Sequence, residues 1–191
     1  MIGFARILKH IIAISAFKSG RVTKARQDGS REFISLLACV LATGKWIKPL
    51  LVYPGVSQDL RTGWVQDIIE DSIAHFITSE SGWTSNDIGQ VWLQQVFERY
   101  TKPKRATIKR LLIVDGYSSY INMAFMDWAD SHGIILLILP PYTTYRLQPL
   151  DVGLFQPLST VYSKGLEKVI SSGGGQVLMS KALFYSIFQL A

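Results

Sequence analysis

The sequence is poor in cysteine, in charged residues and in long apolar runs, and each shortage excludes a class of protein. A single cysteine, Cys39, among 191 residues excludes an intrachain disulfide framework and indicates a reducing compartment. Only 18% of the residues are charged whereas 48% are hydrophobic, which excludes a disordered chain and predicts a packed domain. No apolar run reaches the ~18 residues that cross a bilayer, so we expect no membrane partner.

Acidic residues are also scarce, and they are missing from the first part of the chain. The sequence has 20 Lys and Arg against 14 Asp and Glu, which gives a formal net charge of +6 and a pI of about 9.5. The first acidic residue is Asp28. A basic domain favours an anionic partner such as nucleic acid, but a soluble protein that is merely basic would carry the same charge.

The sequence has two dense groups of basic residues. One lies in the poorly patterned opening of the chain, and the other stands directly before an apolar run at residues 111–114. Each group has two interpretations, a solvated loop or a segment that contacts DNA phosphates. We expect the second group to lie beside the acidic edge described below. The candidate phosphate contacts are Lys18, Arg21, Lys24, Arg26, Lys102, Lys104 and Arg105.

The apolar run at residues 111–114 opens the stretch around which the chain is organised. A helix-like segment at residues 121–132 separates it from a second apolar run at residues 134–139. Short β-branched runs bounded by Gly and Pro predict buried strands. Strand, helix and strand at this spacing predict a βαβ unit, in which the two strands are parallel neighbours.

An aspartate follows each of these two predicted strands. Asp115 comes directly after the first, and Asp151 follows the second after a proline-rich connection. Because parallel sheets place ligands beyond the carboxyl ends of their strands, we expect both carboxylates at one edge, where they would suit a divalent metal ion. Two structural interpretations stand beside this one, namely turn chemistry for Asp115 and a helix N-cap for Asp151.

The first half of the chain reads as strands followed by a helix. Residues 33–42 and 46–53 predict a hairpin whose Pro49 indicates an edge position or a bulge. With a further strand in the opening residues, they form an antiparallel half of a sheet. Residues 56–80 are ambiguous, and a helix is predicted from a cap at Thr84 to about Tyr100.

Three segments carry a family resemblance: LLIVDGYSSY at 111–120, GIILLILPPYTTY at 133–145 and LQPLDVGLFQPL at 147–158. They resemble the DDE-superfamily endonuclease domain of pogo-like and Jerky-like transposases, over about residues 1–165 in all. The resemblance implies an α/β, ribonuclease-H-like fold. In that fold a mixed sheet, with an antiparallel hairpin half and a parallel βαβ half, is flanked by helices.

The resemblance also implies a metal site and a partner. The family uses three acids to hold two Mg2+ (or Mn2+) ions, and Asp115 and Asp151 match the second and third acids. The first acid belongs to a motif that should end at residues 1–4, where the chain has MIGF, so we expect it to be missing. Asp28 or Glu32 is an alternative third ligand. DNA is the implied partner, a homo-oligomer the implied assembly and the nucleus the implied location.

We therefore interpret residues 1–170 as a DDE endonuclease-like domain and residues 171–191, which open with SSGGG, as a flexible break and tail. The implied function is that of a nucleic-acid-binding, transposase-derived domain. Its ancestral reaction, metal-dependent DNA cleavage and strand transfer, is expected to be impaired by the missing acid. The alternatives are a non-catalytic DNA-binding module and a structural remnant.

Overall fold

The structure is a computed structural model that describes residues 3–6, 34–55, 72–105, 107–115, 122–172 and 180–190. Its strands are β1 (Gly3–Arg6), β2 (Ser35–Val40), β3 (Trp46–Pro54), β4 (His75–Ser79), β5 (Arg110–Val114) and β6 (Ile134–Ile138). Helix α1 runs through Asn86–Val91, a π-helical stretch Trp92–Phe97, and Glu98–Thr101. The later helices are α2 (Met123–Ser131), α3 (Thr144–Leu147), α4 (π-helical Leu150–Leu154, then Phe155–Ser172) and α5 (Lys181–Phe188).

Strands β1, β2 and β3 form the predicted antiparallel half of the fold. A tight turn joins β2 to β3, and Gly44 occupies a left-handed conformation there (φ 81°) that glycine adopts without steric cost. The pairing moves from Leu37–Leu50 to Cys39–Ile47, so β3 carries one extra residue between these pairs. The bulge that Pro49 indicated is therefore confirmed.

Strand β4 pairs in parallel with β3, and its pattern in the sequence did not predict a strand. The stretch from 56 to 80 has apolar residues at helical spacing, and residues 56–71 lie outside the described part of the chain. Within β4, Phe76 and Ile77 pack on opposite sides of the sheet. The strand is only five residues long and three of them are polar, which hides its alternation in the sequence.

Strands β5 and β6 are parallel and paired along their full length, from Arg110–Ile134 to Val114–Ile138. Helix α2 connects them, and it begins where the Asn122 side chain accepts a hydrogen bond from the Phe125 amide at 2.8 Å. The predicted βαβ unit is confirmed.

Two apolar cores hold these elements together, one on each face of the β2–β3 pair. The first contains Leu37 and Val52 from the sheet, Trp92 from α1, and residues of β5, α2 and β6. The second contains Leu51 of the sheet together with residues of α4 and α5. The molecule is thus a mixed α/β fold with helices on both faces of a sheet. In the described residues, hydrogen bonding divides the strands into two sheets, β1–β4 and β5–β6.

The helix ends differ in detail from the prediction. The predicted cap at Thr84 is wrong, because Ser85 caps α1 through a side chain that accepts from the Ile88 amide at 3.3 Å.

The predicted tail contains α5, whose buried Phe184 and Tyr185 belong to the second core. At Gly165 of α4, an added Cβ would lie 2.8 Å from a side-chain carbon of Ile187, so the glycine permits close packing of α4 and α5.

Candidate metal site and basic surface

Asp115 lies at the carboxyl end of β5, where the strand leaves the first core. Val114 is fully buried and Asp115 is 8% exposed, so the strand fixes the carboxylate at the rim of the apolar interior. The carbonyl oxygen of Val114 accepts a hydrogen bond from the Leu139 amide at 2.9 Å. This bond continues the β5–β6 ladder and holds the end of β6 beside Asp115.

The chain reaches Asp151 through a braced connection. The Thr143 amide and hydroxyl both donate to the Pro140 carbonyl oxygen, at 3.3 and 2.7 Å, and α3 follows. Gln148 and Leu150 are then almost completely buried, at 1% and 2% exposure. Because these two buried residues fix the start of α4, the position of Asp151 is set by packing.

Asp151 lies in the π-helical first turn of α4, and its amide donates to the Gln148 carbonyl oxygen at 3.0 Å. The residue is exposed, but its carboxyl group loses part of its hydration. This desolvation raises the pKa of the Asp151 carboxyl above its ordinary value. A nearby cation stabilises a carboxylate that has lost hydration more strongly than it stabilises a fully hydrated carboxylate. π-Helical turns inside α-helices are frequent at functional sites.

The two aspartates therefore follow neighbouring parallel strands, as the sequence predicts, while a shared cation remains a prediction. Their oxygens are the hard donors that Mg2+ and Mn2+ prefer, so the donor chemistry fits such an ion. Within the described ranges, no three His, Cys, Asp or Glu side chains are grouped closely enough to hold an ion. Asp28 and Glu32, the alternative third ligands, lie outside those ranges.

The basic residues of the sequence analysis divide into two sets. The first set, Lys18, Arg21, Lys24 and Arg26, lies outside the described residues. The second set, Lys102, Lys104 and Arg105, is exposed and precedes β5, whereas Asp115 follows it. The five residues of β5 span roughly 17 Å, and the expectation that this set lies beside the acidic edge stays a prediction. Their contact with DNA phosphates stays a prediction.

Arg110, the first residue of β5, is held by the protein itself. One guanidinium nitrogen lies 2.6 Å from a Glu98 carboxylate oxygen, and the other donates to the His132 carbonyl oxygen at 2.7 Å. The Arg110 and Glu98 side chains are only 10% and 15% exposed. This buried pair ties the end of α1 to the start of β5, so Arg110 serves the fold.

A further group of basic residues was missed by the sequence analysis. Lys48 of β3 and Arg99 of α1 lie close enough to His75 of β4 to affect its titration, and His75 Nε2 is 3.2 Å from the Tyr100 hydroxyl. Burial, together with these two positive charges, lowers the pKa of His75. The sequence could not indicate that Lys48, His75 and Arg99 are close, because they belong to three different elements. We call the exposed set Lys102, Lys104 and Arg105 the basic surface.

Comparisons with known proteins agree with the family resemblance. The sequence profile described as "DDE superfamily endonuclease" matches residues 30–178. The protein named "MFS-type transporter clz9" of Cochliobolus lunatus is 34% identical over 165 residues, which cover 86% of this chain and 17% of that protein. The protein named "Pogo transposable element with KRAB domain" of Homo sapiens is 27% identical over 128 residues, which cover 66% of this chain and 19% of that protein.

The chain spans less than a fifth of the length of these curated relatives. No solved structure is significantly similar to it. Of the helices that the structure describes, none is both long enough and apolar enough to span a bilayer.

Proposed function

Because the chain belongs to the DDE superfamily of endonucleases, we propose that it binds DNA and that Asp115 and Asp151 hold a divalent cation beside the bound strand. One observation carries the proposal: β5 and β6 are parallel, and the Leu139–Val114 hydrogen bond aligns their carboxyl ends. Ligands of parallel sheets bind at that end of the strands. The transposable-element relative supports DNA as the substrate class.

The two carboxylates have different tasks in this proposal. Asp115, fixed by β5 and little exposed, supplies a rigid oxygen donor. Asp151 has a raised pKa, so a proton or a cation at its carboxyl group relieves the cost of desolvation. When bound, Mg2+ or Mn2+ supplies Lewis-acid stabilisation of the charge that develops on a phosphodiester during cleavage. The protein residues orient the strand and hold the cation.

We also propose that cleavage by this chain is weak. A two-ion centre needs more oxygen ligands than two aspartates provide, whereas DNA binding does not depend on a complete set of metal ligands. The antiparallel β1–β3 half and the parallel β5–β6 half support a ribonuclease-H-like arrangement of the strands. A DNA substrate implies action in the nucleus, and we expect a homo-oligomer on the DNA.

Manganese binding tests the metal site without requiring any cleavage. Isothermal titration of the intact chain with Mn2+ should give a saturable site. The variants Asp115→Asn and Asp151→Asn should each weaken Mn2+ binding at least about tenfold, a loss already seen when residues that only orient metal ligands are changed. Asp127→Asn, which changes an exposed aspartate on α2, is the matched control and should bind as the parent does. An equal loss of Mn2+ affinity in all three variants would show that Asp115 and Asp151 do not form the binding site.

A second candidate function is a non-catalytic DNA-binding module. The position of the basic surface favours it, since Lys102, Lys104 and Arg105 precede β5 whereas Asp115 follows it. Such a module would bind DNA equally well with and without divalent cations. Loss of DNA affinity on removing divalent cations with a chelator would favour the metal-dependent function.

A further inference from the structure

Tyr142 adopts a backbone conformation that is costly for its residue type. It lies in the turn between β6 and α3 with φ 63°, in the left-handed region that an aromatic residue rarely enters. Side-chain packing does not offset this backbone cost, because the residue is 92% exposed. Strained residues of this kind persist where the surroundings impose them, and they concentrate at functional sites.

The turn around Tyr142 is rigid. Pro140 and Pro141 precede it with fixed φ angles, and the Thr143 hydroxyl locks onto the Pro140 carbonyl oxygen at 2.7 Å. The Thr143 carbonyl oxygen accepts from the Arg146 and Leu147 amides at 3.0 and 2.9 Å, which starts α3 directly after the turn. Because the backbone of the turn is already ordered, little backbone entropy is lost when a ligand stacks on the exposed ring.

The turn also lies near the proposed metal site. The Leu139 amide is bonded to the carbonyl oxygen of Val114, the residue before Asp115. Tyr142 is three residues beyond Leu139, so its Cα lies within about 11 Å of the Leu139 Cα at 3.8 Å per residue. A DNA strand that brings a phosphate to the carboxylates therefore passes within reach of the ring.

We propose that Tyr142 is a stacking platform for an unpaired nucleobase of the DNA that reaches the carboxylate edge. The inference rests on the proposed function and adds a preference for single-stranded or frayed DNA. Aromatic rings bind such bases without reading their sequence, because every base has a π-face. The nearby exposed Arg146 and the net charge of +6 favour a nucleic acid over an apolar peptide as the occupant.

The test uses the intact chain and two DNA probes: a blunt duplex, and the same duplex with a short single-stranded overhang that contains 2-aminopurine. Stacking on Tyr142 should quench the fluorescence of the overhang probe and make it bind tighter than the blunt duplex. Tyr142→Ala should abolish the quenching and weaken overhang binding on the order of tenfold, the scale of one lost base–aromatic stack. Tyr142→Trp should retain both effects, and binding of the blunt duplex should not change.

Two further variants separate stacking from a structural role. Tyr142→Gly relieves the left-handed strain, so it should raise the melting temperature while losing the quenching. Trp46→Ala removes another exposed aromatic ring (59% exposed) and should leave the quenching unchanged.

Three outcomes would contradict the inference. If Tyr142→Ala binds both probes as the parent does, the inference is wrong and DNA binding stands. If the parent binds neither probe, the proposed function fails and the inference fails with it. If Tyr142→Ala changes self-association instead of DNA binding, the ring is a protein contact and the inference is wrong.

Discussion

The backbone amide of Leu139 donates to the carbonyl oxygen of Val114 at 2.9 Å, one residue beyond the last paired residues of β5 and β6. The bond extends the parallel ladder to the point where both strands end. The two segments that follow, one starting with Asp115 and the other leading to Asp151, therefore begin at the same edge of the sheet. The proposed metal site depends on this alignment.

The raised pKa of Asp151 makes a prediction about stability and pH. Because the folded-state pKa lies above the unfolded one, the folded protein favours the protonated carboxyl, and this stabilisation is lost as the pH rises through the folded-state pKa. Asp151→Asn keeps the group neutral, so at pH 7 it should raise the free energy of unfolding, by no more than about 1 kcal/mol for an exposed side chain. Urea unfolding at pH 7 and at pH 4 measures the difference, which should shrink at pH 4. A less stable variant at pH 7 would show that desolvation of the Asp151 carboxylate does not destabilise the folded protein.

The lowered pKa of His75 makes a second prediction with the opposite sign. The folded state favours the neutral imidazole, so stability is lost as the pH falls through the unfolded-state pKa of about 6.5. Burial lowers the His75 pKa, and the positive charges of Lys48 and Arg99 lower it further. Lys48→Gln removes one of these charges, so it should raise the His75 pKa in an NMR titration. Lys45→Gln, in the exposed β2–β3 turn, is the matched control. Equal His75 pKa values in the parent and in Lys48→Gln would show that Lys48 does not act on His75.

The Glu98–Arg110 pair should be important for folding. Replacing Glu98 by Gln leaves the guanidinium of Arg110 buried without its counter-charge, which should cost about 3–5 kcal/mol of unfolding free energy. Lys102→Ala tests the other ion pair of Glu98, which spans 3.9 Å with a lysine side chain 74% exposed. That change should cost less than about 0.5 kcal/mol. Chemical denaturation of both variants checks the contrast, and similar losses would mean that burial of the pair is unimportant.

The basic surface predicts a salt-dependent affinity for DNA. Each phosphate that a lysine or arginine neutralises contributes about −0.9 to the slope of log affinity against log salt concentration. Replacing Lys102, Lys104 and Arg105 together by Ala should therefore reduce the slope by about 2–3, with weaker binding to all sequences. Fluorescence anisotropy at several salt concentrations measures both effects. An unchanged slope in the triple variant would remove this surface from the DNA contact.

The sequence was most informative where an apolar run with a clear pattern is ended by a residue that stops a strand. The apolar runs around α2, ended by Asp115 and by Pro140, predicted the βαβ unit because strands of this kind leave a clear pattern. Strand β4 was missed because His75, Thr78 and Ser79 interrupt its short alternation. The distance between the basic surface and Asp115 could not be read from the sequence, because the five residues of β5 lie between them along the chain.

Contacts between distant elements were also beyond the sequence. The proximity of Lys48, His75 and Arg99 arises because β4 pairs in parallel with β3 and α1 ends over the same region. The strain at Tyr142 follows from the rigid turn around it, and the sequence shows only an aromatic residue after two prolines. Residue types and spacing define neither relationship.

The most direct test of the central claim is to map the polypeptide around a bound metal ion. Iron(II) loaded into the intact chain, with ascorbate and peroxide, cuts the backbone only near the ion. A shared cation predicts cuts next to both Asp115 and Asp151 in the same sample, suppressed by excess Mg2+ and lost together in Asp115→Asn. Cuts near one aspartate without the other, or cuts that Asp115→Asn leaves unchanged, would show that these carboxylates do not share a cation.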